Sequence, residues 1–218
     1  MIEMNGMRRF AGLRALALTL AVALASFALP VATAVAEDAP PEPRQVVRET
    51  VDAVIGVLQE SGKSDAERRS EIEQIAYARF DFKTMSRLVL ARNWKRFSKE
   101  QQAAFVDEFK AFLSRSYGQR ISSYEQEKVE ITSDRLEPRG DVTVLTEIRG
   151  GQFDGTEVHY RMRNRGEWRV IDVVIEGVSL VSNYRTQFKE IISSGGSKGP
   201  QKLLDQLKTK NDAPGVAG

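Results

Sequence analysis

The absence of cysteine from all 218 residues excludes disulfides, thiolate metal sites and a cysteine nucleophile. A single histidine leaves nothing with which to build a histidine-spaced metal site, and the balance of 32 basic against 30 acidic residues gives no ground for a nucleic-acid partner. The small positive charge belongs largely to the first residues: removing Arg8, Arg9 and Arg14 with Glu3 takes away a net +2 and leaves a neutral chain.

Those arginines precede an uncharged run, ALALTLAVALASFALPVA, that ends just before an A-x-A site at Ala34–Ala36. The arrangement predicts a secretory signal peptide over residues 1–36, with an uncleaved membrane anchor as the alternative. A proline-rich linker, 37–43, leads into a domain expected over 44–210, and 211–218 reads as a flexible tail. No later stretch approaches the roughly eighteen apolar residues that a spanning helix needs, so the processed chain is expected to be exported and soluble. Its size is enough to bury about 70% of the unfolded surface in a core without covalent staples.

The first predicted helix, Arg44–Ser61, carries Val47, Val51, Val54, Ile55 and Leu58 at helical spacing and closes at Gly62. A second begins near Asp65 and carries Ile72 and Ile75. After Phe80–Phe82 comes a third helical stretch, MSRLVLARNWKRF, with Met85, Leu88 and Val89 on one face. Here the charge becomes uneven: Lys83, Arg87, Arg92, Lys95, Arg96 and Lys99 occur with no acid between them. The run suits an anionic headgroup or an acidic partner, and equally an ordinary solvated helix face. Ser98 with Gln101 makes a capping-box start for the clearest helix, along which Phe105, Phe109, Phe112, Leu113, Tyr117, Ile121 and Tyr124 recur every three or four residues.

The period then changes to two. Val129–Ile131, Val142–Ile148, Thr156–Met162 and Trp168–Ile175 read as four strands with short turns between them, an antiparallel meander ended by Gly177. Ser179 can cap a further helix with Leu180, Val181, Tyr184, Phe188, Ile191 and Ile192 on its apolar face. A flexible SSGGSKGP stretch and a short helix at Gln201–Leu207 complete the order. The expected fold class is α+β, with helices packed on a curved antiparallel sheet of about four strands enclosing an apolar pocket. The last long strand is apolar on both faces, with Trp168, Val170 and Val174 expected on one side and Ile171, Val173 and Ile175 on the other. One side meets helices and the other is expected to border a space that side chains or a ligand must fill.

FDFKTMSRLVLARNWKRFSKEQQAAFVDEFKAFLSRSYGQRI and WRVIDVVIEGVSLVSNYRTQFKEII together resemble the MlaC family of periplasmic phospholipid-binding proteins, also called the toluene-tolerance family. The likeness runs in the same order from about Arg44 to Lys210, and GVSLVSNYRTQF is its most specific part. It implies a periplasmic shuttle carrying phospholipid between an outer-membrane lipoprotein complex and an inner-membrane ABC transporter. It also implies a pocket that takes up acyl chains and leaves the headgroup near solvent. Ala91 stands where the family usually has glycine, so the backbone near the pocket rim is expected to differ, and GGSKGPQKLL is looser than the family's lead into its last helix.

Face assignment places Val89, Phe105, Phe109, Tyr117, Val144, Val158, Tyr160, Met162, Val174 and Tyr184 on the lipid pocket, with Arg87, Arg92, Lys95 and Arg185 as candidates for headgroup or partner docking. The aromatic stripe serves as well for closed core as for ligand wall; Tyr117 separates the two, because its hydroxyl needs a partner. His159 faces away from Val158 and Tyr160 and reads as a surface or locally bonded residue. No cofactor, metal or catalytic group is expected, and the chain is expected to act as a monomer. The rival readings are an adaptor with a collapsed pocket and, further off, a pocket enzyme using Asp172. An arginine pair or a rim position is the plainer role for Asp172.

Overall fold

Residues 42–122 and 126–213 are described by the structure, a computed structural model, and all belong to one unit, Ala39–Gly218. The expected signal peptide, the linker up to residue 41 and tail residues 214–218 lie outside the described residues. Pro43 takes the first helical position of α1 (Pro43–Gln59), where its missing N–H costs nothing, so the helix starts one residue before the expected Arg44. Helix α2 (Asp65–Arg79) is started by a capping box in which Ser64 and Glu67 satisfy each other's backbone N–H. Helix α3 (Phe82–Leu90) is capped by Asp81, whose carboxylate accepts from the Thr84 N–H at 2.8 Å. The helical stretch expected to run on to Phe97 breaks at Ala91, which takes φ 48° and ψ −121°, and continues as a 3-10 turn, Ala91–Arg96.

Helix α4 (Lys99–Ser122) starts with the expected reciprocal cap: Gln101 N–H donates to Ser98 Oγ at 3.2 Å, and Ser98 N–H to Gln101 Oε1 at 3.1 Å. The sheet that follows is an all-antiparallel meander in the order β1–β2–β3–β4–β5: β1 (Lys128–Leu136), β2 (Val142–Arg149), β3 (Val158–Asn164), β4 (Trp168–Ile175) and β5 (Val178–Ser179). Two features depart from the expectation. Strand β1 is much longer than Val129–Ile131, and a fifth, two-residue strand is added because Glu176 and Gly177, both at positive φ (48° and 75°), turn the chain back as a tight hairpin instead of ending the sheet.

Two bulges bend the sheet. Thr132 is the extra residue in β1 against β2, and Ile171 the extra residue in β4 against β3, where Arg161 pairs with Asp172 and Met162 with Val170. Ser179 then caps α5 (Leu180–Ser194), accepting from Ser182 N–H at 3.0 Å. The stretch expected to be flexible is instead a helix end, a 3-10 turn at Gly196–Lys198 and the start of α6 (Gly199–Asp212), longer than the expected Gln201–Leu207. The reason is close packing: a Cβ at Gly199 would lie 2.1 Å from the Ile192 carbonyl oxygen, so glycine lets the two helices meet.

The core lies where α3, α4, α5 and α6 meet one another and the sheet. Met85, Leu90, Phe105, Phe109, Met162, Ile192, Leu203 and Leu207 are fully buried there. Phe105 and Phe109 stack at 5.6 Å, and Phe188 meets both edge-on at 5.9 and 5.8 Å. Beside this core the Arg44–Asp134 ion pair ties the start of α1 to β1, while the buried Val46 and Val47 anchor the helix from below. Among the described residues no helix is long and apolar enough to cross a membrane.

Candidate functional site

A cavity of about 430 Å³ lies between the α1–α2 pair, α4 and the sheet, within the range of small-molecule sites. Helix α1 supplies Val51, Val54, Ile55 and Leu58, and α2 supplies Ile72, Ala76 and Tyr77, with Phe80 just past its end. Helix α4 adds Leu113 and Tyr117, and the sheet adds Val129, Ile148, Val158, Tyr160, Met162, Val170, Val173 and Ile175. The wall is therefore mostly hydrocarbon.

The bulge decides which side of β4 borders this space. Strict alternation would put Val170 and Val174 together, but the extra residue at Ile171 shifts the phase, so Val170 pairs its cavity-facing side with Val173 and Ile175. Val174 is turned away, and the expectation for it is corrected on that ground. Asp172 is turned away too, and does not line the cavity. Its buried carboxylate accepts from Ser179 Oγ at 2.6 Å and Val181 N–H at 3.0 Å, with the Arg161 guanidinium at 3.6 Å. It is thus an anchor for the start of α5, where its charge also suits the helix dipole, and the carboxylate on which an enzyme reading depended is committed elsewhere.

The expected pocket residues divide. Tyr117, Val158, Tyr160 and Met162 line the cavity. Val89, Phe105, Phe109 and Val144 do not; they are buried in the closed core. The α4 stripe divides along its length, because Phe105 and Phe109 face α5 and Phe188, whereas Leu113 and Tyr117, two and three turns on, face the cavity. The last members of that stripe, Ile121 and Tyr124, fall outside the described side chains. Tyr184 stands one layer behind the wall, with its hydroxyl 3.4 Å from that of Tyr117. Burial, and then the Tyr117 hydroxyl, hold the Tyr184 phenol above the usual tyrosine range. Tyr160 is pushed up to about 12 by burial alone.

The walls contributed by α1 and α2 were missed as ligand wall. Their apolar spacing is visible in the sequence, but a helical face looks the same whether it covers core or a cavity. Among the candidate docking cations, Arg87, Arg92 and Lys95 are exposed and, among the described residues, have no ion-pair partner. Arg185 differs: its Nε donates to the Leu88 carbonyl at 3.0 Å, closing the end of α3 onto α5. His159 is partly buried, with Nε2 3.6 Å from a Glu157 carboxylate oxygen.

One polar part of the wall lies where α2 runs beside α4, with Thr50, Glu127 and Thr156 the polar residues elsewhere on it. Ser114 Oγ donates to Glu73, the Lys110 ammonium sits 3.3 Å from the centre of the Tyr77 ring, and the Arg69 side chain lies beside Gly118. Burial, and then the Glu73 charge, raise the Tyr77 phenol.

Comparison with known proteins is consistent from sequence to structure. The family model described as MlaC protein matches residues 48–209. The toluene tolerance protein ttg2D of Pseudomonas putida is 24% identical over 99 residues, which is 45% of this chain and 46% of that protein; the chain thus spans about half the length of that curated relative. A phospholipid-binding protein from Ralstonia solanacearum, solved in complex with a phospholipid, superimposes with a TM-score of 0.70 at 24% identity, covering 79% of this chain and all (100%) of that one.

Proposed function

Because the chain belongs to the MlaC family, we propose that it is a periplasmic carrier that takes one phospholipid molecule at a time between an outer-membrane lipoprotein complex and an inner-membrane ABC transporter, and so maintains lipid asymmetry of the outer membrane. The observation that carries this reading is the hydrocarbon-walled cavity between α1, α2, α4 and the sheet. The Ralstonia solanacearum protein, which shares the fold, binds a phospholipid.

The energetics suit the task. Removing a sixteen-carbon chain from water is worth on the order of 13 kcal/mol at about 0.8 kcal/mol per methylene, so a loaded lipid does not escape into water. Moving the same chain between a bilayer and this cavity exchanges one hydrocarbon surrounding for another, so little free energy is lost at either end, and the partners set the direction. The exposed cations Arg87, Arg92 and Lys95 are proposed as the docking surface for those partners. Arg185 contributes to that surface only indirectly, by holding α3 in place.

The test is native mass spectrometry of the processed protein purified from its own periplasm, with the released lipid identified after extraction. A stoichiometric phospholipid is the expected result. An empty, well-folded protein sinks the carrier reading and favours an adaptor that docks partners through its helices.

A further inference from the structure

Where α2 runs beside α4, the largely apolar wall of the cavity carries a half-buried cation together with the Glu73 carboxylate and Ser114. Lys110, on α4, is partly buried and lines the cavity, with its ammonium 3.3 Å above the centre of the Tyr77 ring from α2. That position is a cation–π platform, which fixes the charge at the wall instead of letting the side chain swing into solvent. The nearby carboxylate of Glu73, one turn before Tyr77, is engaged by Ser114, one turn after Lys110. Among the described residues Lys110 has no ion pair. A partly desolvated ammonium held beside a mostly hydrocarbon cavity, in a salt bridge with no described carboxylate, matches an amphiphile whose chains fill the cavity and whose anionic group stays at the seam between the two helices.

We infer that Lys110, seated on Tyr77, is the residue that recognises the phosphodiester of the bound lipid. This rests on the carrier reading above and goes beyond it, since it assigns the polar end of the ligand to the α2–α4 seam. Arg69 is the other cation on the wall, but it is exposed and lies at the opposite end of the seam beside Gly118, where water competes for any anion. It serves as the control.

The experiment compares three probes on the delipidated protein: a phospholipid, a diacylglycerol with the same chains, and a glycerophosphodiester with no chains. Lys110→Gln, Lys110→Met, Lys110→Arg and Arg69→Gln are measured beside the unaltered chain, with thermal melts to establish that each folds. The unaltered protein is expected to prefer the phospholipid over the diacylglycerol by about tenfold. Lys110→Gln should erase that preference by weakening phospholipid binding more than diacylglycerol binding, and Lys110→Arg should keep it. Lys110→Met, which retains the apolar stem over Tyr77, decides the matter if the glutamine variant melts early. A preference that survives both neutral variants, or that is lost in Arg69→Gln, overturns the assignment. Binding of the chainless glycerophosphodiester as tight as that of the lipid makes this a free-anion site and overturns it as well. Failure of the unaltered protein to bind either lipid removes the carrier reading, and the inference with it.

Discussion

At Ala91 the backbone takes φ 48° and ψ −121°, a region that residues with a Cβ rarely occupy and glycine enters freely. The turn sends the chain from α3 into the 3-10 segment, so the strain is held in place by the buried Val89 and Leu90 before it and Phe97 after it. Ala91→Gly is expected to stabilise the fold by about 1 kcal/mol, read as a raised urea midpoint at unchanged slope; an unchanged or lowered midpoint would mean that the turn carries no strain. Tyr160 gives a second expectation at this scale. Its phenol titrates near 10 in an unfolded chain and at about 12 in the fold, so folding favours the protonated form. The contribution is complete below pH 10 and is lost as pH rises through 12, with Tyr184 displaced in the same direction. Denaturation midpoints should therefore fall above pH 10, and the fall should be shallower in Tyr160→Phe. A parallel decline in both chains would show that Tyr160 does not contribute to it.

Among the elements, the β4 bulge had the largest effect on the site. Replacing Val173 by Trp should fill the cavity and lower the amount of lipid that copurifies, whereas Val174→Trp, on the opposite side of the strand, should leave lipid content unchanged; equal loss in both would mean that the bulge does not set the faces. The strand itself was legible as an apolar run from Trp168 to Ile175, and so were the capping box at Ser98, the meander and the order of helices, because each is written in local spacing. The phase of β4 was not, since Ile171 looks like any other residue of an alternating strand and only the register with Arg161 and Met162 reveals it as extra. The same limit explains α4. Its stripe from Phe105 to Tyr117 is continuous in sequence, yet the partner that each turn meets is fixed by α5 for Phe105 and Phe109 and by the cavity for Leu113 and Tyr117. The lead into α6 was read as flexible from its glycines, although Gly199 is there because Ile192 leaves no room for a Cβ.

For the molecule as a whole, the α1–α2 pair is secured at its ends and exposed to the cavity between them. Val46 and Val47 are buried at the start of α1, and at the far end of α2 the Asp81 N–H donates to the Val170 carbonyl at 2.9 Å while Phe80 rests on the sheet. Between these anchors Val51, Val54, Ile55 and Leu58 are only partly covered, and along α2 only Ile72 is buried. Their apolar surface faces the cavity, so the packing that would normally hold two such helices down is incomplete until something apolar occupies that space. A bound lipid then stabilises the fold by mass action, and it does so locally. Removing the lipid by organic extraction and refolding should lower the melting temperature by several degrees, with hydrogen exchange quickening from Val51 to Arg79 and little changed in α4, α5 and β3. Adding phospholipid back should restore both. Uniform quickening over the whole fold would mean that the ligand supports the core in general, and no quickening anywhere would mean that the two helices are held by the protein alone.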